Sequence, residues 1–145
     1  MRNTTNTANE KTTAIKALGP LSGSGLFISQ PRKRIWVRKK HENIPLLLEE
    51  VAYMQAENKI IQAVDRSGYR YMLDKPLSAM EEELSPLSFF RANRQHIINI
   101  NYIKRFRTIE KVKILVTLDL QIGEHTVIIS QESAAAFRKW IQYAH

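Results

Sequence analysis

The chain has 145 residues, 43% of them hydrophobic, which is enough for one domain with a real core and too few for two ordinary ones. No window approaches the roughly 18 apolar residues that a membrane-spanning helix needs, and without cysteine neither a disulfide framework nor a thiolate metal site can form. The net charge of +8 favours an acidic partner, nucleic acid or an anionic surface foremost, and a cytoplasmic protein that does not insert in a membrane is the expectation.

Residues 1–30 are rich in Thr, Asn, Ala, Ser and Gly and have little apolar periodicity. With Gly19-Pro20 and Gly23-Ser24-Gly25 they read as a flexible tail or interdomain linker, and residues 31–145 as the folded domain. Arg34 to Arg38 alternates basic and apolar residues and predicts a strand with Ile35 and Val37 on one face. Lys39 to Asn43 reads as a turn, and extended segments follow at Ile44–Leu48, Val51–Gln55, Lys59–Asp65 and, after Ser67-Gly68, Tyr69–Leu73.

One short helix interrupts the strands. Asp74 can cap it, Pro76 fits its first turn, Leu77, Met80, Glu81 and Leu84 have helical spacing, and Ser85-Pro86 stops it. Phe89 to Ala92 opens another strand, Ile103–Ile109 and Val112–Leu118 form a hairpin with Glu110-Lys111 at its tip, and Thr126–Ile129 is a last strand. Ser130 can cap a closing helix that carries Phe137, Trp140, Ile141 and Ala144 on one face, a stripe better suited to core packing than to a cofactor. The fold class is therefore mainly β, with short strands in small antiparallel sheets, an internal helix and a C-terminal helix.

Catalytic chemistry finds little to work with. His41, His96, His125 and His145 lack metal-ligand spacing, there is no Gly-rich phosphate loop, and no serine sits in a nucleophile elbow. Asp65, Asp74 and Asp119 fall at turns or strand ends, where capping accounts for them. No enzyme activity, metal or cofactor is expected. Basic residues, by contrast, gather at loops and loop edges: Arg32 to Arg34, Lys39 to His41, Lys59 beside Asn58, Arg91 and Arg94 around Asn93, and Lys104, Arg105 and Arg107. Loop-borne Lys and Arg can reach phosphates, and Arg and Asn can pair with guanine and adenine edges.

The segment Phe89-Phe90-Arg91-Ala92-Asn93-Arg94-Gln95-His96-Ile97-Ile98-Asn99 resembles the central signature of LytTR domains. Val51 to Ala56, Pro76 to Leu84, Asn101-Tyr102-Ile103 and Ile128-Ile129-Ser130 continue the resemblance in order, over roughly residues 32–145. It implies about ten strands in small antiparallel sheets plus a helix, a bacterial transcription regulator, and loops laid into successive major grooves of double-stranded DNA. It also implies the output position of a two-component response regulator, with residues 1–30 leading from a receiver domain served by a sensor kinase. Paired copies on direct repeats would then associate on DNA.

Carried over by position, the resemblance implies three contacts: Asn58 and Lys59 at one hairpin, Arg94 with Asn93 and Gln95 in the signature, and Gln131 at the final strand-to-helix turn. Arg91 is open between a phosphate contact and a structural ion pair. Asn93, Gln95 and Gln131 stand where the family usually has His, Ser and Arg, so the sequence preference should differ. Phe89, Phe90, Ile97 and Ile98 are expected in the core, with Asn99 capping a turn. The alternative is a β-rich protein- or RNA-interaction module. Against RNA stacking, Phe89, Phe90, Tyr53 and Trp36 read as buried or singly placed.

Overall fold

A computed structural model describes residues 33–144. The expected tail or linker at residues 1–30 lies outside the described residues. Strands β1 (Arg34–Lys39) and β2 (Glu42–Leu47) form a hairpin turned at Lys40-His41, with Lys40 at φ 57°. Alternation sets their faces: Ile35 and Val37 are buried, whereas Trp36 between them stays 67% exposed across from Pro45. Proline is tolerated there because β2 is an edge strand that needs no ladder donor at that position.

Strands β3 (Val51–Glu57) and β4 (Ile60–Asp65) are joined by Asn58-Lys59, both with positive φ (53° and 67°). Two left-handed residues in a two-residue loop match the natural strand twist. Strand β5 (Arg70–Leu73) follows a turn held by Asp65, whose Oδ1 accepts from Ser67 N (2.9 Å), Ser67 Oγ (2.7 Å) and Tyr69 N (3.0 Å). Tyr71 donates its hydroxyl to Oδ2 at 2.9 Å. Burial alone would push the Asp65 carboxyl up, but these four donors outweigh it and hold the pKa below the ordinary value. Burial, then the bond to Asp65, pushes the Tyr71 hydroxyl up to about 12.

Helix α1 (Leu77–Glu83) differs at its start from expectation. Pro76 is its N-cap, with its carbonyl accepting from Ala79 N (3.1 Å) and Met80 N (3.0 Å). Asp74 does not cap it: β1 lies beside β5 with Arg38 opposite Met72, and the guanidinium of Arg38 pairs with Asp74 instead.

The signature segment is a hairpin where one strand start was expected. Strands β6 (Phe89–Asn93) and β7 (His96–Asn99) turn at Arg94-Gln95, with an irregularity between Arg91 and Asn93. Neither turn residue has positive φ; the Asn93 side chain accepts from Gln95 N at 2.8 Å and closes the turn locally. Buried Asn99 caps the next turn as expected, accepting from Asn101 N (3.0 Å), and it also donates to Val51 O (2.8 Å).

Strands β8 (Ile103–Ile109), β9 (Lys113–Leu120) and β10 (Gly123–Ile129) precede helix α2 (Gln131–Tyr143). The last hairpin is longer than its apolar pattern showed, because its pairing continues to Leu120 opposite Gly123. Ser130 is the N-cap of α2, but its hydroxyl faces Ser133 Oγ at 3.3 Å and makes no bond to the helix backbone.

All strand pairs are antiparallel. One sheet has the order β2-β1-β5-β4-β3-β7-β6 and the other β10-β9-β8. Strands β3 and β7 bury both faces. Met54 and Ile97 join a cluster with Ile35, Val37, Leu77 and Met80 on the α1 side, while Tyr53 and Ile98 join one with Ile114, Val116, Ile129 and Phe137 on the side of the smaller sheet and α2. Burial at 25 cal/mol per Å² of apolar surface, roughly 1.5–3 kcal/mol per large side chain, makes these two clusters the main hold on the strands that carry the loops described next.

Candidate nucleic-acid interface

Three loops distant in sequence meet at one edge. The Gln55–His96 pairing sets the β3–β4 tip beside the β6–β7 tip, and Ala56 N donates to Gln95 O at 2.9 Å. On the other side Asn93 Nδ2 donates to Ile128 O at 2.6 Å, and Ser130 N donates to Ala92 O at 3.2 Å. Those two bonds bring the start of α2, and with it Gln131, against the β6–β7 hairpin. Asn58, Lys59, Arg94, Gln95 and Gln131 are all exposed there.

Their side chains divide sharply by what they touch. Among the described residues, those of Asn58, Lys59, Arg94, Gln95 and Gln131 make no hydrogen bond or ion pair. Asn93 is fully engaged: besides the bonds to Ile128 O and Gln95 N, its Oδ1 lies 3.1 Å from His96 Nδ1. Arg91 is engaged as well. Its Nε donates to Asn93 O (2.8 Å), one Nη to Arg94 O (2.8 Å) and the other to Glu81 of α1 (3.2 Å). A guanidinium that holds two carbonyls of the turn fixes the loop carrying Arg94.

His96 opens β7 of this hairpin, and His125 of β10 packs near it. His125 stacks on Tyr53 with centroids 4.3 Å apart and planes 5° from parallel, and the two imidazoles are 6.4 Å apart. Burial, then the neighbouring His125, lowers the His96 pKa; burial, then Arg70, lowers that of His125. Asn93 Oδ1 can only accept, so the 3.1 Å contact requires the proton on His96 Nδ1, and burial of the ring favours its neutral form. The composition had not singled out His96 in this role, since its partner is fixed only by the turn.

Between the hairpin tip and α2 runs a groove of about 540 Å³ lined by Arg91, Asn93, Arg94, Gln95, Ser130, Glu132 and Ser133. Two free cations and three free carboxamides, four of the five on tight turns and Gln131 at the first position of α2, can pair with phosphate oxygens and with base edges, Arg with guanine, Asn and Gln with adenine. Among the described residues no group of three or more His, Cys, Asp or Glu is placed to hold a metal ion, and no helix is long and apolar enough to cross a membrane.

The family model described as LytTr DNA-binding domain matches residues 41–142. Among solved structures, the chain is similar to a LytTr DNA-binding domain from Bacillus cereus, from a protein described as a putative methyl-accepting/DNA response regulator. The TM-score is 0.68 and the sequence identity 24%, covering 76% of this chain and 97% of that one. At that identity the likeness establishes the fold. The comparison with curated proteins gave no match.

Proposed function

Because this chain belongs to the LytTr DNA-binding domain family, we propose that it reads double-stranded DNA in a sequence-specific way, through loops set in the major groove, as a bacterial transcription regulator in the cytoplasm. Arg94 is the main base contact, with Gln95 beside it, Asn58 and Lys59 on one flank and Gln131 on the other. Asn93 and Arg91 act one step back, by shaping the turn that presents Arg94. The observation that carries this is the convergence of three loop tips whose free side chains share one edge while their backbones are tied together. The second ingredient is charge: the chain carries +8, and Lys59 and Arg94 have no acidic partner among the described residues.

Residues 1–30 serve as the linker from a receiver domain, with the folded domain as the output of a two-component system, and two copies associate on paired repeats. Selection from a random duplex library followed by titration tests the central claim. The Arg94→Ala substitution should cost on the order of 1–3 kcal/mol on the selected duplex and relax preference at one position. Undiminished affinity would remove Arg94 from the contact, and a preference for single-stranded RNA over duplex would remove the DNA assignment.

A further inference from the structure

The smaller sheet has a charge gradient along its strands. At its Gly123 end, Lys104 and Arg105 of β8 both bond Glu124 of β10, at 2.8 and 3.0 Å. At the opposite end the balance changes. Among the described residues, Arg107 and Lys111 have no side-chain partner, Lys113 has only exposed Glu110 at 3.4 Å, and Arg138 of α2 donates to the Thr108 hydroxyl at 2.8 Å and pairs with no carboxylate. Cations left without a carboxylate partner raise the local positive potential, which suits this end to a polyanion.

That unneutralised end is the one beside the loop tips. The last pair of the β9–β10 ladder is Ile114–Ile129, so Lys113 comes one residue beyond it, alongside Ser130, whose N–H bonds Ala92 O next to Asn93. Arg138 is seven residues after Gln131 in the same helix and so shares its face. The tip carrying Lys111 is held in shape by left-handed Glu110 and Lys111, at φ 50° and 66°.

We propose that Arg107, Lys111, Lys113 and Arg138 form a second DNA contact, a sequence-blind clamp on backbone phosphates that flank the bases read by the loops. The inference rests on the DNA-binding reading and deepens it: the footprint extends past the three tips onto the β8–β9 hairpin and α2. Arg107 and Lys113 lie on one face of the β8–β9 ladder, Lys111 at its turn, and Arg138 on α2 against Thr108 on the other face; such guanidinium and ammonium groups suit phosphate oxygens and carry no base code.

The test compares three proteins on one duplex selected by the wild type: wild type, Arg107→Gln/Lys111→Gln, and Lys104→Gln/Arg105→Gln, which removes the same formal charge from the neutralised end. Affinity is followed across a salt series. The first variant should bind more weakly at low salt, with base preference unchanged and the log–log salt slope shallower by roughly 0.9 for each phosphate that is no longer neutralised. The second should keep the wild-type slope. Equal slopes in wild type and the first variant, with wild-type DNA binding intact, overturn the clamp and leave the loop reading standing. A wild type without duplex affinity would remove both readings.

Discussion

Replacing Asn93 by alanine separates a positioning residue from a base contact. The substitution removes three interactions: Nδ2 to Ile128 O at 2.6 Å, Gln95 N to Oδ1 at 2.8 Å, and the His96 contact at 3.1 Å. Each such bond is worth about 0.5–1.5 kcal/mol net, and the low half of that range applies because water can replace part of the loss at a half-exposed edge. The sum is about 1.5–3 kcal/mol. With a urea dependence of about 2 kcal/mol per M for a small domain, the unfolding midpoint should fall by roughly 1 M. Duplex affinity should fall less than in Arg94→Ala, with base preference retained, because the hairpin loosens and keeps its reading side chain. An unchanged midpoint combined with relaxed preference at one base would refute this: Asn93 would then be facing DNA, and its internal bonds would be dispensable.

Asp65→Ala should destabilise by about 2–4 kcal/mol, since it strands the donors of Ser67, Tyr69 and Tyr71. Equilibrium unfolding reads that change, and the folded fraction should bind duplex as the wild type does, because the turn lies at the other end of β4 from Asn58-Lys59. A drop in affinity without a drop in stability would count against it. Acidification should also weaken the fold. The pKa values of His96 and His125 are lowered in the folded state, so the unfolded chain binds protons first as pH falls below its ordinary value of about 6.5. The stability that neutral rings contribute is complete above that pH and declines from there toward the folded values. Urea midpoints between pH 7.5 and 5.5 should therefore drop in the wild type and change less in His96→Gln/His125→Gln; an equal drop in both would exonerate the histidines.

Much of the architecture was legible in the chain. Alternation over Ile35 and Val37 and over Ile114, Val116 and Leu118 marked strands with a buried face, and each is buried as that pattern requires. The helix at Leu77 to Glu83 and the Phe137 stripe followed from helical spacing, and the loop-borne cations from their placement between strands. These are local properties, set by backbone periodicity and by which side chains water will accept. The hairpin within the signature was less legible, because its turn uses ordinary backbone angles and relies on one Asn side chain in place of a Gly.

Which polar residues are free is a different kind of fact. Asn93, Arg94 and Gln95 are neighbours with similar hydrogen-bonding capacity, yet Asn93 is consumed by Ile128 and His96 while Arg94 and Gln95 stay open. Arg91 could have met a phosphate or a carboxylate, and the packing of α1 brings Glu81 to it. The sequence by itself determined the strands, the helices and the supply of basic and carboxamide side chains at their tips. Only the tertiary structure decided which of those side chains are spent inside the fold and which share an edge, because each partner comes from an element far along the chain and meets it only when both sheets have closed on their cores.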